Sequence, residues 1–169
     1  MRIVSKPLYR ARQVGSALRP KVTDEERKEA RRVLGDRLFA LFGAMDGADQ
    51  RHCLDVYNAA RRAGCKDREA LTAALIHDCG KAPSDEDGRI RLWHRVTYVV
   101  LEAIAPGMLR RLARRPGGLR LLDRHAERGI EIAEAHGATA EVLDLMRGME
   151  DGETADEQVR LLRAADDAA

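Results

Sequence analysis

Leu71-Thr-Ala-Ala-Leu-Ile-His77-Asp78-Cys-Gly-Lys81 is the stretch on which the fold turns. From Leu71 to Ile76 a helix would be apolar on nearly every side, the pattern of a helix buried inside a bundle rather than laid on its surface. A carboxylate follows directly. Burying an ionised Asp alone is costly, so Asp78 must be protonated, paired with a cation or bound to a metal.

Two other segments supply polar groups that face inward by the same logic. In steps of three, four and seven, Asp78 lies in line with Leu71, Ala74 and Leu75, and His52 with Val56, Ala59 and Ala63. Near the C-terminus, Asp166 shares a stripe with Val159 and Leu162, whereas Asp167 lies under Arg160 and Arg163, so Asp166 is the inward one. His52, His77, Asp78 and Asp166 together form a mixed nitrogen and oxygen set. Such a set suits Mn, Fe, Co, Ni or Zn better than an all-oxygen ion such as Ca. Any one of these histidines, taken singly, reads as a hydrogen-bonded core residue. Four inward polar groups on three helices do not.

These residues resemble the H…HD…D signature of the HD-domain superfamily, all-α metal-dependent phosphohydrolases, over roughly Asp49 to the C-terminus. The resemblance implies a single-domain HD-type helical bundle. It implies one divalent metal ion (Mn, Fe, Co, Ni, Zn or Mg) held by His52, His77, Asp78 and Asp166. It implies a small phosphorylated substrate, a phosphomonoester or phosphodiester with nucleotides among the candidates. Asp78 would then both ligate the ion and orient the attacking water. A divalent ion with open positions lowers the pKa of bound water and neutralises charge on a phosphoryl group, which makes hydrolysis the expected chemistry.

His125-Ala-Glu-Arg-Gly129 is similar to the His-x-x-x-Gly helix of two-metal HD proteins. His125 falls in line with Leu121, Leu122 and Ile132, facing inward, and either contacts substrate or is a satisfied core histidine. Those relatives carry a further histidine on the next helix, where this chain has Met149, a poor ligand for a hard or borderline ion. The Gly-Tyr-Pro element of cyclic-di-GMP phosphodiesterases is absent. One metal is therefore expected. The same gap leaves room for a non-catalytic HD sensor or interaction module, and less for an iron-dependent oxygenase.

Lys81 follows Gly80, read as a left-handed helix end that swings the ammonium back over the site. It is either a catalytic phosphate clamp or an ordinary cation at a helix C-terminus. Arg51 and Arg95 are candidates for an anionic substrate, although most such arginines are solvated. His94 reads as a core histidine, and His136, before Gly137, as a helix-end cation.

Length and composition bound the rest. A chain of 169 residues, 44% hydrophobic, can bury a sizeable core in one domain, and with two Phe and one Trp that core must be aliphatic. An arm over residues 1–22 and an HD-type domain over 23–169 are expected. No apolar run is long enough for a membrane span, and the first residues lack a secretory signal, so a cytoplasmic protein with no membrane partner is expected. Cys53, Cys65 and Cys79 are an odd number without a CxxC pair and read as reduced thiols, two of them beside proposed ligands. Net charge is only +2, but Arg2 to Arg32 and Arg110 to Arg128 are basic. Basic segments that converge could attract nucleic acid, yet an arginine-rich surface explains them as well, and nucleic acid is not favoured.

Helices are expected throughout. Thr23-Asp-Glu-Glu26 is a capping box opening a helix toward Val33, with a second one from Gly35 to Ala44. A His52 helix ends at Gly64, and Lys66 to Cys79 forms the buried one. Pro83 to Gly88 is a loop beside the site and a candidate lid. After a Leu92 to Ile104 helix, Pro106-Gly107 breaks the chain before a basic helix from Met108 to Arg115. Three more helices, near 119–135, 139–149 and 155–168, complete the bundle.

Overall fold

The computed structural model describes residues 21–150 and 155–169, and they are all-α. Eight helices follow in order: α1 (Asp24–Ala44), α2 (Gly47–Arg62), α3 (Arg68–Ile76), α4 (Leu92–Ile104), α5 (Pro106–Ala113), α6 (Gly118–Ala135), α7 (Ala140–Glu150) and α8 (Glu157–Ala168). A 3-10 turn (Cys79–Lys81) follows α3. Most of the expected N-terminal arm lies outside the described residues.

Several helices start at a side-chain cap that the sequence offers. Thr23 and Glu26 exchange backbone and side-chain hydrogen bonds at the start of α1. Asp67 caps α3 through the Ala70 N–H, and Asp156 caps α8 through Gln158 and Val159. α1 is bent at Gly35, whose φ of 67° belongs to the left-handed region, so the expected division of this segment is met as a sharp kink. α5 begins at Pro106 rather than Met108: proline suits the first helical position because its missing N–H would go unpaired there anyway.

α3 lies at the centre, packed on α1, α2, α7 and α8. Ala70, Ala73, Ala74, Leu75 and Ile76 are inaccessible to solvent. Three of the five are alanines, which let neighbouring helices approach closely. Around them Phe42, Leu54, Val56, Val142 and Leu162 close a mostly aliphatic core, as the composition required. α4 differs sharply. Leu101 is its one buried residue, while Trp93 and Ile104 are 56% and 75% exposed.

The buried helix is shorter than the expected Lys66 to Cys79, and its end is differently made. Gly80 is not left-handed; it sits in the 3-10 turn, where α6 crosses. A Cβ on Gly80 would stand 1.8 Å from the His125 carbonyl oxygen, so only glycine admits this crossing. Arg128 donates to the Gly80 and Ala82 carbonyls, and the Cys79 thiol to that of Gly129, closing the joint.

The segment from Pro83 to Gly88 forms a small turn closed by an antiparallel bridge between Ser84 and Gly88. Asp87 accepts from Arg120 Nε at 2.6 Å and from the Gly117 N–H at 3.0 Å. These bonds fasten the loop to the start of α6, and none of its residues lines the central cavity, so the lid expectation fails. Among the described residues no helix is long and apolar enough to cross a membrane.

Candidate metal centre

α2 brings His52 to the centre. Gln50 donates to the Met45 carbonyl at 2.8 Å, fixing the corner between α1 and α2. One turn on, Cys53 and Val56 are inaccessible to solvent, and His52 stands on the edge of that buried face. α3 then delivers His77 and Asp78 from its C-terminal end. Asp78 has φ −92° and ψ 7°, in the sparsely populated bridge region where active-site residues are often found. α8 buries Val159, Leu162 and Ala165 and carries Asp166 inward on the same stripe, while Asp167 is exposed at the cavity mouth.

The four side chains meet. His52 Nε2 lies 2.8 Å from Asp166 Oδ1 and 3.9 Å from Asp78 Oδ2. His77 Nε2 lies 3.7 Å from Asp78 Oδ1 and 3.8 Å from Asp166 Oδ1. Donor atoms of His52, His77 and Asp166 all fall within 4.8 Å of one another, and Asp78 turns one oxygen to each imidazole. His77 Nδ1 is bonded to the Ala74 carbonyl at 3.0 Å, an arrangement that puts its proton on Nδ1 and leaves the Nε2 lone pair facing the carboxylates. Two nitrogen and two carboxylate donors this close fit a divalent cation of borderline hardness. A second grouping, Cys53, His77 and Asp78, does not fit one. Burial, with Asp78 and Asp49 nearby, pushes the Cys53 thiol well above its usual pKa, and His77 Nδ1 is already engaged.

Lys81 returns to this centre from the 3-10 turn, its Nζ 2.7 Å from Asp78 Oδ2, and both groups are buried. Burial pushes the Asp78 carboxyl up, but the Lys81 ammonium and then His77, His52 and His125 outweigh it and hold the group well below the usual carboxylate range. Burial opposes the charge of Lys81 too, and Asp78 more than compensates. The pair is thus ionised. A cation partner was one of the three outcomes open to an Asp ending an apolar helix, and Lys81 supplies it.

His125 reaches the same place from α6. Its Nδ1 is bonded to the Leu122 carbonyl at 2.7 Å, and its Nε2 faces Asp78 Oδ1 at 4.0 Å and Glu150 Oε1 at 3.7 Å. Burial and the Lys81 charge lower its pKa, favouring the neutral ring. The Gly80 crossing is what sets this imidazole against Asp78.

Arg51 and Arg95 stand elsewhere. Arg51 bonds Glu26 at 2.6 Å and Asp55 at 3.0 Å, tying α1 to α2, and Arg95 grips both oxygens of Asp49 at 2.7 and 2.8 Å, tying α4 to α2. Neither lines the cavity, so the structure brings neither to a substrate. His94 Nδ1 accepts the Arg91 N–H at 2.9 Å, and His136 Nδ1 is bonded to the Ile132 carbonyl at 2.8 Å. All three cysteines are free, and burial lifts Cys79 to about 12, so the thiols beside the ligands stay protonated.

A cavity of about 410 Å³ opens over the centre. It is lined by His52, His77, Asp78, Lys81, His125 and Asp166 and by several residues that the sequence reading passed over, notably Tyr98, Glu102, Asp123 and Glu150. One of these left a trace. Glu102 is the lone carboxylate in the apolar run of α4.

The HD domain family model matches residues 50–169, the span that holds every residue of the cradle. No curated protein and no solved structure matches the chain. With the H…HD…D residues gathered at one point of an all-α bundle and the model covering most of the chain, this protein belongs to the HD domain family, whose members are mostly metal-dependent hydrolases.

Proposed function

We propose that this protein is a metal-dependent phosphohydrolase acting on a small phosphomonoester or phosphodiester, nucleotides included. The observation that carries the reading is the convergence of His52, His77, Asp78 and Asp166 at the floor of a cavity, with Asp78 held ionised by Lys81. Those four residues would hold one divalent cation. Bound there, it would lower the pKa of a water molecule and draw charge from a phosphoryl oxygen.

The chain's own groups perform the remaining work. Asp78 faces both imidazoles and Lys81 at once, so it can accept a hydrogen bond from the incoming water and fix its direction. Lys81 neutralises that carboxylate and offers further N–H donors to a phosphoryl oxygen. His125, neutral and protonated on Nδ1, presents Nε2 as an acceptor for a substrate hydroxyl or the water proton. The buried floor keeps these charges in a low dielectric, where each acts more strongly than in water.

A second reading, a non-catalytic sensing or interaction module, is favoured by one observation: Met149 lines the cavity where two-metal relatives carry histidine. The test separates the two. Purified protein is stripped of metal, resupplied with Mn, Fe, Co, Ni, Zn or Mg, and assayed on phosphomonoesters, nucleotides and phosphodiesters beside Asp78→Ala and Asp78→Asn. The hydrolase shows metal-dependent turnover that both variants lose together with bound metal. A variant that kept its metal and turnover would sink the cradle, and bound metal with no turnover on any substrate would favour the module.

A further inference from the structure

α4 has two unlike faces. Its inner side carries Arg95, which grips Asp49, and Tyr98, Val99 and Glu102, which line the cavity. Every exposed residue of the helix is apolar: Leu92, Trp93, Val96, Val100, Ala103 and Ile104. Set at helical spacing, they form one outward stripe roughly 20 Å long. With Met108 on α5, the five larger ones are the only large apolar side chains exposed among the described residues. Single exposed apolar residues are ordinary, but six gathered on one side of a molecule mark a contact surface.

The two ends of the stripe are basic. Between residues 89 and 115 the exposed charged side chains are Arg89, Arg91, Arg110, Arg111, Arg114 and Arg115, and the one acid, Glu102, faces the cavity. Arg91 directly precedes Leu92, and Arg111 lies one turn after Met108 on the same side of α5. Arg89 is shared with Asp46 at 3.3 Å, while the other five have no ion pair among the described residues. Charge therefore decides what the stripe takes. A second copy, docked in either direction, would set a basic end on a basic end. The first residues of the chain bring Arg2, Lys6, Arg10, Arg12 and Arg19 and no carboxylate, so they complement these ends no better. An anionic lipid surface matches both features. Apolar side chains sink below the headgroups, tryptophan favours that boundary, and arginines lay their stems on apolar surface while their guanidinium groups reach lipid phosphates.

We propose that the outer face of α4 docks on an anionic membrane surface, with Leu92, Trp93, Val96, Val100 and Ile104 below the headgroups and the flanking arginines on lipid phosphates. The membrane partner set aside from the sequence was one that needs a spanning run, whereas a helix lying in the plane of the interface needs none. The docking face and the metal centre are on opposite sides of α4, so this proposal stands or falls separately from the phosphohydrolase reading.

Trp93 is the only tryptophan of the chain, so its emission reports on this face alone. Full-length protein is titrated with large vesicles of phosphatidylcholine alone and of phosphatidylcholine with phosphatidylserine in about a three to one ratio, with emission and co-sedimentation as readouts. Co-sedimentation by itself could come from the basic first residues, and the emission separates the two. We expect a blue shift and at least about tenfold stronger partitioning onto the anionic vesicles, weakening as salt is raised. Val100→Glu with Ile104→Glu should abolish the shift, and Arg111→Glu with Arg115→Glu should remove the anionic preference. All four positions are exposed, so neither pair of changes touches the core. No shift on either vesicle, equal partitioning onto both, or either double variant binding like the wild type overturns the proposal. Emission that is already blue in buffer and reddens on dilution assigns the face to a second copy, and a shift with polyglutamate but not with vesicles assigns it to an acidic protein; both outcomes overturn it too.

Discussion

α3 and α4 are successive helices with apolar sequences, and they end in opposite places. α3 is packed on α1, α2, α7 and α8 and buries six of its nine residues; α4, with bulkier side chains and thirteen residues, packs mainly on α5 and α6 and buries Leu101. Apolarity thus fails to predict burial here. What separates the two is the polar group each carries. Asp78, at the end of α3, meets a buried lysine and three histidines, whereas Arg95 ties α4 to Asp49 on one side and Glu102 lines the cavity on the other. α3 is placed as a core, α4 as a cavity wall.

If the centre of the molecule is organised around the end of α3, the severest single change lies at Gly80. A Cβ there would collide with the His125 carbonyl at 1.8 Å and the Gly129 nitrogen at 2.7 Å, both backbone atoms that cannot swing aside. Gly80→Ala should cost about 4 kcal/mol or prevent folding, the range of backbone overpacking without a relaxed alternative. Chemical denaturation reads the stability and metal analysis reads the centre. A well-folded variant with normal metal content would mean that α6 does not press on this turn in solution.

Leu75→Ala probes the body of α3 itself. Leu75 is fully buried among alanines on a helix with neighbours on four sides, so the cavity left behind cannot collapse easily. The expected loss is about 3 kcal/mol, seen as a lower denaturation midpoint with an unchanged slope. A loss below about 1 kcal/mol would erase the contrast with α4, since it would match an ordinary surface substitution.

The same contrast explains which parts of the molecule were legible in the sequence. The approach of His52, Asp78 and Asp166 was readable because each continues an apolar stripe of its own segment, and a stripe has one direction in a bundle, while His77 was readable as the neighbour of Asp78. The break at Gly35 and the cap at Thr23 were readable because they are local chemistry. The meaning of Gly80 was not: it depends on the α6 backbone crossing from some fifty positions away, which no spacing encodes. Arg51 and Arg95 looked available for substrate, but their carboxylate partners Glu26 and Asp49 lie on other turns and helices. The cavity wall that includes Tyr98, Glu102 and Asp123 was equally hidden, since it is drawn from two helices.

A smaller effect belongs to the joint between α3 and α4. Burial pushes the Asp87 carboxyl up, but hydrogen bonds from Arg120 and the Gly117 N–H more than cancel this and leave its pKa lowered. Because the folded group is the stronger acid, its contribution is complete above the unfolded value near about 4 and fades as pH falls through the folded value. Asp87→Asn should therefore cost about 1.5 kcal/mol at pH 7 and progressively less in acid, measured by denaturation across pH. A deficit that stayed constant down to the lowest pH would show that the bond geometry, rather than the charge, fastens the loop.

The smallest expected effect is the sharpest test of α4. Val100 is 47% exposed on a helix whose outward stripe also carries Val96 and Ile104. In the isolated chain Val100→Ser should change stability by no more than about 0.5 kcal/mol, because almost no packing is lost, and the slightly lower helix preference of neither residue dominates. Its partner measurement is the same variant examined by sedimentation. If the monomer is the solution species, both quantities stay at the wild-type value and the exposure of α4 is simply tolerated. A loss of 1 kcal/mol or more that grows with protein concentration would instead mean that the stripe is covered by a second copy, so that α4, like α3, is buried after all and the two helices differ only in whose side chains bury them.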